Sequence, residues 1–139
     1  MANHTTARID DAQGSPLAVA IEVAGHHLLG DEPVAQGGAN LGPSPFDLLT
    51  AALGECTAIT LRWYARQQGW PLEHVSVTVE HTRMLAAGET TPHDRFRKSV
   101  TLTGPLLTGE QLARLHEVAD RCPVHKTLTG DIRIDTVAM

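Results

Sequence analysis

Apolar residues recur at three- and four-residue spacing through residues 42–70, GPSPFDLLTAALGECTAITLRWYARQQGW, and this run predicts one long helix around which the chain is organised. Ser44 is placed to cap it, since its hydroxyl can accept from the free amides of the first turn. Pro45 suits the first helical position, where a missing N–H costs nothing. Asp47, three residues after Ser44, completes a capping box in its shorter acidic form. Gly69 ends the helix and Pro71 prevents it from resuming. On ideal helical geometry Cys56 shares an apolar face with Leu49, Ala52, Leu53, Ile59, Thr60 and Trp63, and that face is expected to be buried.

The remaining pattern is mostly strand-like. Residues 5–10, 17–23 and 27–29 read as short strands, the third antiparallel to the second, with turns at residues 11–14 and at Gly25. Asp31-Glu32-Pro33 closes this group, because proline cannot sit inside a ladder. Residues 34–43, VAQGGANLGP, predict a loop; they follow neither the dinucleotide-binding nor the P-loop pattern. Residues 72–83 alternate cleanly, with Val75, Val77 and Val79 on one side and Ser76, Thr78 and Glu80 on the other. Residues 95–103 return with Phe96, Val100 and Leu102 on one face, so the two segments predict an antiparallel hairpin. Thr108 and Gln111 form a second capping box, opening a helix whose inner stripe is Leu112, Leu115 and Ala119, continued by Cys122. Pro123 interrupts that helix, residues 124–128 form a turn or helical fragment, and residues 131–137 read as a last strand alternating Ile132 and Ile134 with Arg133 and Asp135. The fold class expected is α+β, one domain over residues 1–139, with antiparallel strands curved over a long central helix and a second helix. The long helix is more apolar than one small sheet can cover, which predicts burial against a second copy in a homodimer.

Composition narrows the function classes. With 139 residues the chain can bury a core of ordinary size. A net charge of −5 argues against nucleic acid or an anionic membrane as partner, and 4% aromatics leaves few stacking platforms for bases. No apolar run approaches a bilayer span, and the N-terminus MANHTTARIDD has no signal-peptide core, so a cytoplasmic location is expected. The eight histidines are scattered rather than spaced as ligands.

Two cysteines carry the candidate chemistry. Cys56 reads either as a small buried hydrophobe or as a reactive thiol. It lies about three turns into the helix, beyond the reach of the terminal dipole, and its apolar face and Glu55 both raise a thiol pKa. A reactive thiolate there needs a cation from elsewhere in the fold. Cys122 ends a helical stripe and has Arg121, His125 and Lys126 close in sequence, a setting suited to thiol exchange as well as to simple packing. Both lie on core-facing stripes, so an encounter between them is geometrically allowed. A zinc site from Cys56, Cys122 and His125 competes, weakened by the lack of a second closely spaced ligand pair.

GPSPFDLLTAALGEC, a hairpin, and then RCPVHKTLTGDIRI together resemble the OsmC/Ohr family, named for osmotically inducible protein C and organic hydroperoxide resistance. The likeness runs from about residue 28 to the C-terminus. It implies an intertwined homodimer and an enzyme: a peroxiredoxin-like, thiol-dependent peroxidase acting in oxidative-stress defence. By position Cys56 becomes the peroxidatic residue, oxidised by a hydroperoxide to a sulfenic acid, and Cys122 resolves it as a disulfide. The resemblance implies no cofactor and no metal, only an external thiol or dithiol reductant as redox partner. An alternative on the same fold is a small-molecule or thiol-adduct binding protein without efficient turnover. This sequence departs from the family pattern in having Phe46 where a glutamate follows the helix-starting proline, and no arginine in the 11–14 turn. Arg8, Arg95 and Arg97 are the nearest candidate cations, the latter two expected to face solvent, and Glu32 and Glu55 are the candidate acids. Phe46 and the aliphatic helix face favour organic over inorganic peroxide.

Overall fold

The computed structural model describes residues 4–139, which fall into two compact units divided between Leu49 and Thr50. In the first unit β1 (Ala7–Asp11), β2 (Val19–Val23) and β3 (His26–Gly30) form an antiparallel meander, with Ile9 opposite Ile21 and Ile21 opposite Leu28. The β2–β3 turn uses Ala24 and Gly25, both with positive φ, as a tight two-residue hairpin demands. The glycine-rich stretch after β3 is anchored by one side chain. The buried Asp31 carboxylate accepts from Ser15 Oγ at 3.0 Å and Glu32 N at 2.8 Å on one oxygen, and from Ala39 N at 3.0 Å and Leu41 N at 3.2 Å on the other. This wrapping draws backbone so close that a Cβ at Gly38 would lie 2.0 Å from the Glu32 carbonyl oxygen, and one at Gly42 would lie 2.0 Å from that of Leu29. Both positions therefore exclude any larger residue.

Helix α1 (Pro45–Gln68) begins and ends as its sequence dictates. Ser44 and Asp47 exchange hydrogen bonds, Ser44 N to Asp47 Oδ2 at 3.0 Å and Asp47 N to Ser44 Oγ at 3.2 Å. At the far end Gly69 takes φ +68°, Trp70 N reaches Ala65 O at 2.9 Å and Gly69 N reaches Arg66 O at 3.2 Å, a Schellman motif.

In the second unit β4 (His74–Met84) and β5 (His93–Thr103) form a long antiparallel hairpin, with Val77 opposite Val100 and Val79 opposite Lys98. Thr108 caps α2 (Gly109–Val118) through a complete capping box with Gln111. A 3₁₀ turn over Ala119–Arg121 follows, and Cys122 then caps the short α3 (Pro123–Thr129), with proline in its first turn. The core of this unit gathers Leu61, Ala65, Leu72, Leu107, Leu115, Val118 and Ala119, with Val75, Val100 and Leu102 of the hairpin packed on it.

Two expectations need correction. The buried stripe of α1 keeps Leu53 from the face predicted around Cys56 but continues through Thr57, Leu61 and Ala65, turned by about 100° from that face. Ile59 and Trp63, assigned to the interior, are 59% and 60% exposed. Both faces are apolar enough to bury; hairpin and α2 cover the one that Leu61 leads, and periodicity cannot rank the two. Residues 131–137 form no strand, because no β-edge in the same chain pairs with them; Ile134 is 85% exposed. Among the described residues no helix is long and apolar enough to cross a membrane.

The burial pattern predicts that Leu61→Ala, at a fully buried position, costs about 2–5 kcal/mol of unfolding free energy, whereas Leu106→Ala on the surface stays within about 0.5 kcal/mol. Denaturant midpoints at constant m-value check the pair. Asp31 predicts a pH dependence. Burial alone would raise its carboxyl, but the amides of Ala39, Glu32 and Leu41 and the Ser15 hydroxyl outweigh it and hold the group below the ordinary carboxylate range. A depressed folded-state value contributes stability that is present above the unfolded-state value and lost as pH falls through the folded one. Asp31→Asn turns an N–H toward donors, so it is expected to be the less stable protein at neutral pH. Its deficit against wild type should shrink on acidification, as read by unfolding midpoints; a constant deficit would contradict the assignment.

Candidate functional site

The two sulfurs meet where α1, β5 and the α2–α3 junction converge. Cys122 ends the α2 stripe in extended backbone (φ −65°, ψ 142°) and its sulfur accepts from His125 N at 3.3 Å. The preceding amide, Val124 N, points to Cys56 Sγ at 3.5 Å. Adjacent amides of one turn thus address the two sulfurs, which lie close enough to influence each other's ionisation. Both cysteines are free. They differ in access: Cys122 is fully buried, while Cys56 is only half-buried.

One strand residue completes the site. Lys98 of β5 has the same parity as Phe96, Val100 and Leu102, so its side chain enters the dry side of the hairpin and is only 9% exposed. Its amine donates to Ala119 O at 2.7 Å, to His125 Nδ1 at 2.9 Å and to Thr57 Oγ1 at 3.3 Å, which uses all three N–H bonds of an ammonium. Accepting at Nδ1 leaves the His125 proton on Nε2. Asp120 Oδ1 stands 3.9 Å away on an exposed side chain. The Thr57 hydroxyl lies between Leu53 O at 2.8 Å and Cys122 Sγ at 3.5 Å, linking amine and sulfur.

These contacts separate the thiols electrostatically. Burial raises the Cys56 pKa, the Val124 amide offsets part of this, and the neighbouring Cys122 raises it further. Burial also acts upward on Cys122, but the Thr57 hydroxyl, the His125 amide, the Cys56 thiol and the Lys98 charge together bring it below the ordinary cysteine value.

The cysteine encounter expected from the two helical stripes is present, and the other candidates lie elsewhere. Arg95 and Arg97 are exposed on the wet side of β5, Arg8 pairs with Asp10 at 2.9 Å, and Glu55 is exposed. Asp47 serves as a cap. The three residues of the zinc alternative do approach one another, but His125 Nδ1 is held by the Lys98 amine. Among the described residues no group of three or more His, Cys, Asp or Glu side chains is arranged to hold a metal. Lys98 and Thr57 went unrecognised in the sequence. The signal was present for Lys98: a cation on the apolar parity of an alternating strand has to find buried acceptors.

This order of elements is shared with known proteins. A family model described as OsmC-like protein matches residues 37–137. The chain belongs to this family. Its fold matches that of an organic hydroperoxide resistance protein OsmC from Legionella pneumophila, at 22% identity over 94% of this chain and 93% of the other, with TM-score 0.70. An OsmC-like protein from Mycoplasma pneumoniae superposes with TM-score 0.71 at 18% identity, covering 91% and 86%. An organic hydroperoxide resistance protein from Elizabethkingia anophelis gives 0.70 at 17% identity, covering 94% and 91%. No curated protein matches the chain. The OsmC-like fold expected here, mixed α and β with antiparallel strands, is the one observed.

Proposed function

We propose that this OsmC-like protein is a thiol-dependent peroxidase that reduces organic hydroperoxides through Cys56, with Cys122 as the resolving thiol. The observation that carries the reading is that a half-buried sulfur and a fully buried one are addressed by adjacent amides of the same turn. Cys56 is partly open to solvent, whereas Cys122 is closed off from it. That asymmetry supports the proposed roles: oxidation to sulfenic acid at the accessible sulfur, then disulfide formation with its buried neighbour. An external dithiol reopens the bond. The names of the Legionella and Elizabethkingia proteins, organic hydroperoxide resistance, support the substrate class.

A second reading is favoured by one observation, the raised pKa of Cys56. A thiol held protonated reacts slowly, and the fold then serves to bind a small apolar molecule or a thiol adduct. Intact mass after one equivalent of cumene hydroperoxide separates the two. The peroxidase is expected to lose about 2 Da per chain as a disulfide forms, in wild type but not in Cys122→Ser, and to consume cumene hydroperoxide faster than hydrogen peroxide. Unchanged mass, or slow addition of oxygen without disulfide, sinks the peroxidase reading.

The working form is proposed to be a homodimer. The face of α1 left open within the chain carries Ile59 and Trp63 and borders a groove of about 710 Å³ with Ala58, Val75 and the stems of Arg62 and Arg66. Exposed Ile132, Ile134 and Val137 add unpaired apolar residues in a segment with strand alternation. A second copy of the same chain offers both a cover and a pairing edge. Sedimentation is expected to give a dimer for wild type and a shift toward monomer for Trp63→Glu; a monomeric wild type would refute the assembly.

A further inference from the structure

A resolving thiol must reach its partner after the partner sulfur has been modified, so what holds the turn around Cys122 at that moment matters. The α3 helix buries none of its residues fully, and residues 131–139 beyond it have no regular secondary structure. Polar contacts therefore weigh heavily in its placement. One of them, Val124 N to Cys56 Sγ at 3.5 Å, ends on the very atom whose chemistry changes. The contacts of Lys98 do not. Its amine donates to Ala119 O at 2.7 Å and to His125 Nδ1 at 2.9 Å, three residues before Cys122 and three after it, and to Thr57 Oγ1 at 3.3 Å. Thr57 gives its own proton to Leu53 O at 2.8 Å, which leaves its oxygen as an acceptor for the amine, one residue from Cys56 on α1. We propose that Lys98 is a positioning residue for disulfide closure: it grips the chain on both sides of Cys122, ties it to α1, and keeps Cys122 within reach of a modified Cys56. This rests on the pairing of the two cysteines in the reading above and adds the residue that sets the rate of its second half.

The step it serves balances. The Cys122 thiol gives its proton to solvent and its sulfur attacks the sulfenic acid of Cys56. The S–S bond forms as the S–O bond breaks, and the departing hydroxide is protonated by water. The Cys56 sulfur is reduced from the sulfenic to the disulfide level while the Cys122 sulfur is oxidised to it, so no further oxidant is consumed. Where the turn drifts away, the waiting sulfenic acid meets a second hydroperoxide and becomes sulfinic acid instead. Lys98 touches neither the peroxide nor Cys56 in this scheme; it acts only through the placement of Cys122.

A methanethiosulfonate reagent tests the closure without any peroxide. One equivalent places a methylthio group on Cys56, and attack by Cys122 then expels methanethiol and leaves the internal disulfide, so intact mass follows the two steps separately. Lys98→Met is expected to slow the second step relative to the first by about tenfold or more, and His125→Ala to slow it in the same direction by less. The deficit should persist at the pH where closure no longer rises, because the clamp sets distance and not ionisation. With cumene hydroperoxide, Lys98→Met should divert chains from disulfide to sulfinic acid. A folded Lys98→Met that closes as fast as wild type overturns the proposal, as does a deficit that vanishes at high pH. If Lys98→Met does not fold, His125→Ala decides, and closure at the wild-type rate in that variant overturns the clamp. Closure with the methanethiosulfonate but no disulfide with cumene hydroperoxide would instead remove the peroxidase reading and leave the clamp to be judged on the variants.

Discussion

A lysine amine carried to the dry side of a hairpin must find an acceptor for each N–H or be driven back to water, since a buried charge without partners is far costlier than any packing gain nearby. Lys98 meets this demand with a carbonyl at the end of α2, a ring nitrogen in α3 and a hydroxyl in α1. Three helical segments that share no backbone hydrogen-bond ladder with β5 are thereby pinned to one point on the strand. Loss of any one acceptor leaves a buried donor unsatisfied, at a cost of about 1–3 kcal/mol. The same three contacts place Thr57 and His125 against Cys122, so the requirement that fixes the α2–α3 junction also sets the electrostatics of the sulfur held there. The exposed Asp120 carboxylate at 3.9 Å adds little, being screened by solvent.

Much of this arrangement was legible in the sequence where local chemistry decides it. Both capping boxes, the Gly69 stop, the alternating hairpin and the Leu115–Ala119–Cys122 stripe follow from short-range rules that tertiary structure had no reason to override. The sequence left an approach of the two cysteines geometrically open without deciding it. What failed was the choice between two apolar faces of α1. Leu53, Leu61 and Ala65 form one stripe and Ile59 and Trp63 belong to the other, and only the covering elements distinguish them. Thr57 was hidden by that same choice, since a threonine within a stripe thought to be exposed draws no notice. The strand expected over residues 131–137 has the right alternation but no edge to join within one chain, and alternation alone says nothing about where a partner strand lies. The cation was sought among arginines because the family pattern suggested one, while the parity of β5 already pointed to Lys98.

The division of labour between the sulfurs resolves what looks like a defect. In the proposed cycle Cys56 attacks with a raised pKa: less of it is thiolate at a given pH, while each thiolate that forms is intrinsically the stronger nucleophile. Reduction then exploits the opposite property. In the proposed cycle an incoming dithiol would meet the half-buried Cys56 and expel Cys122, the thiol of lower pKa being the better leaving group. A single asymmetry of burial and charge thus favours attack at the outer sulfur in both halves of the cycle and departure at the inner one.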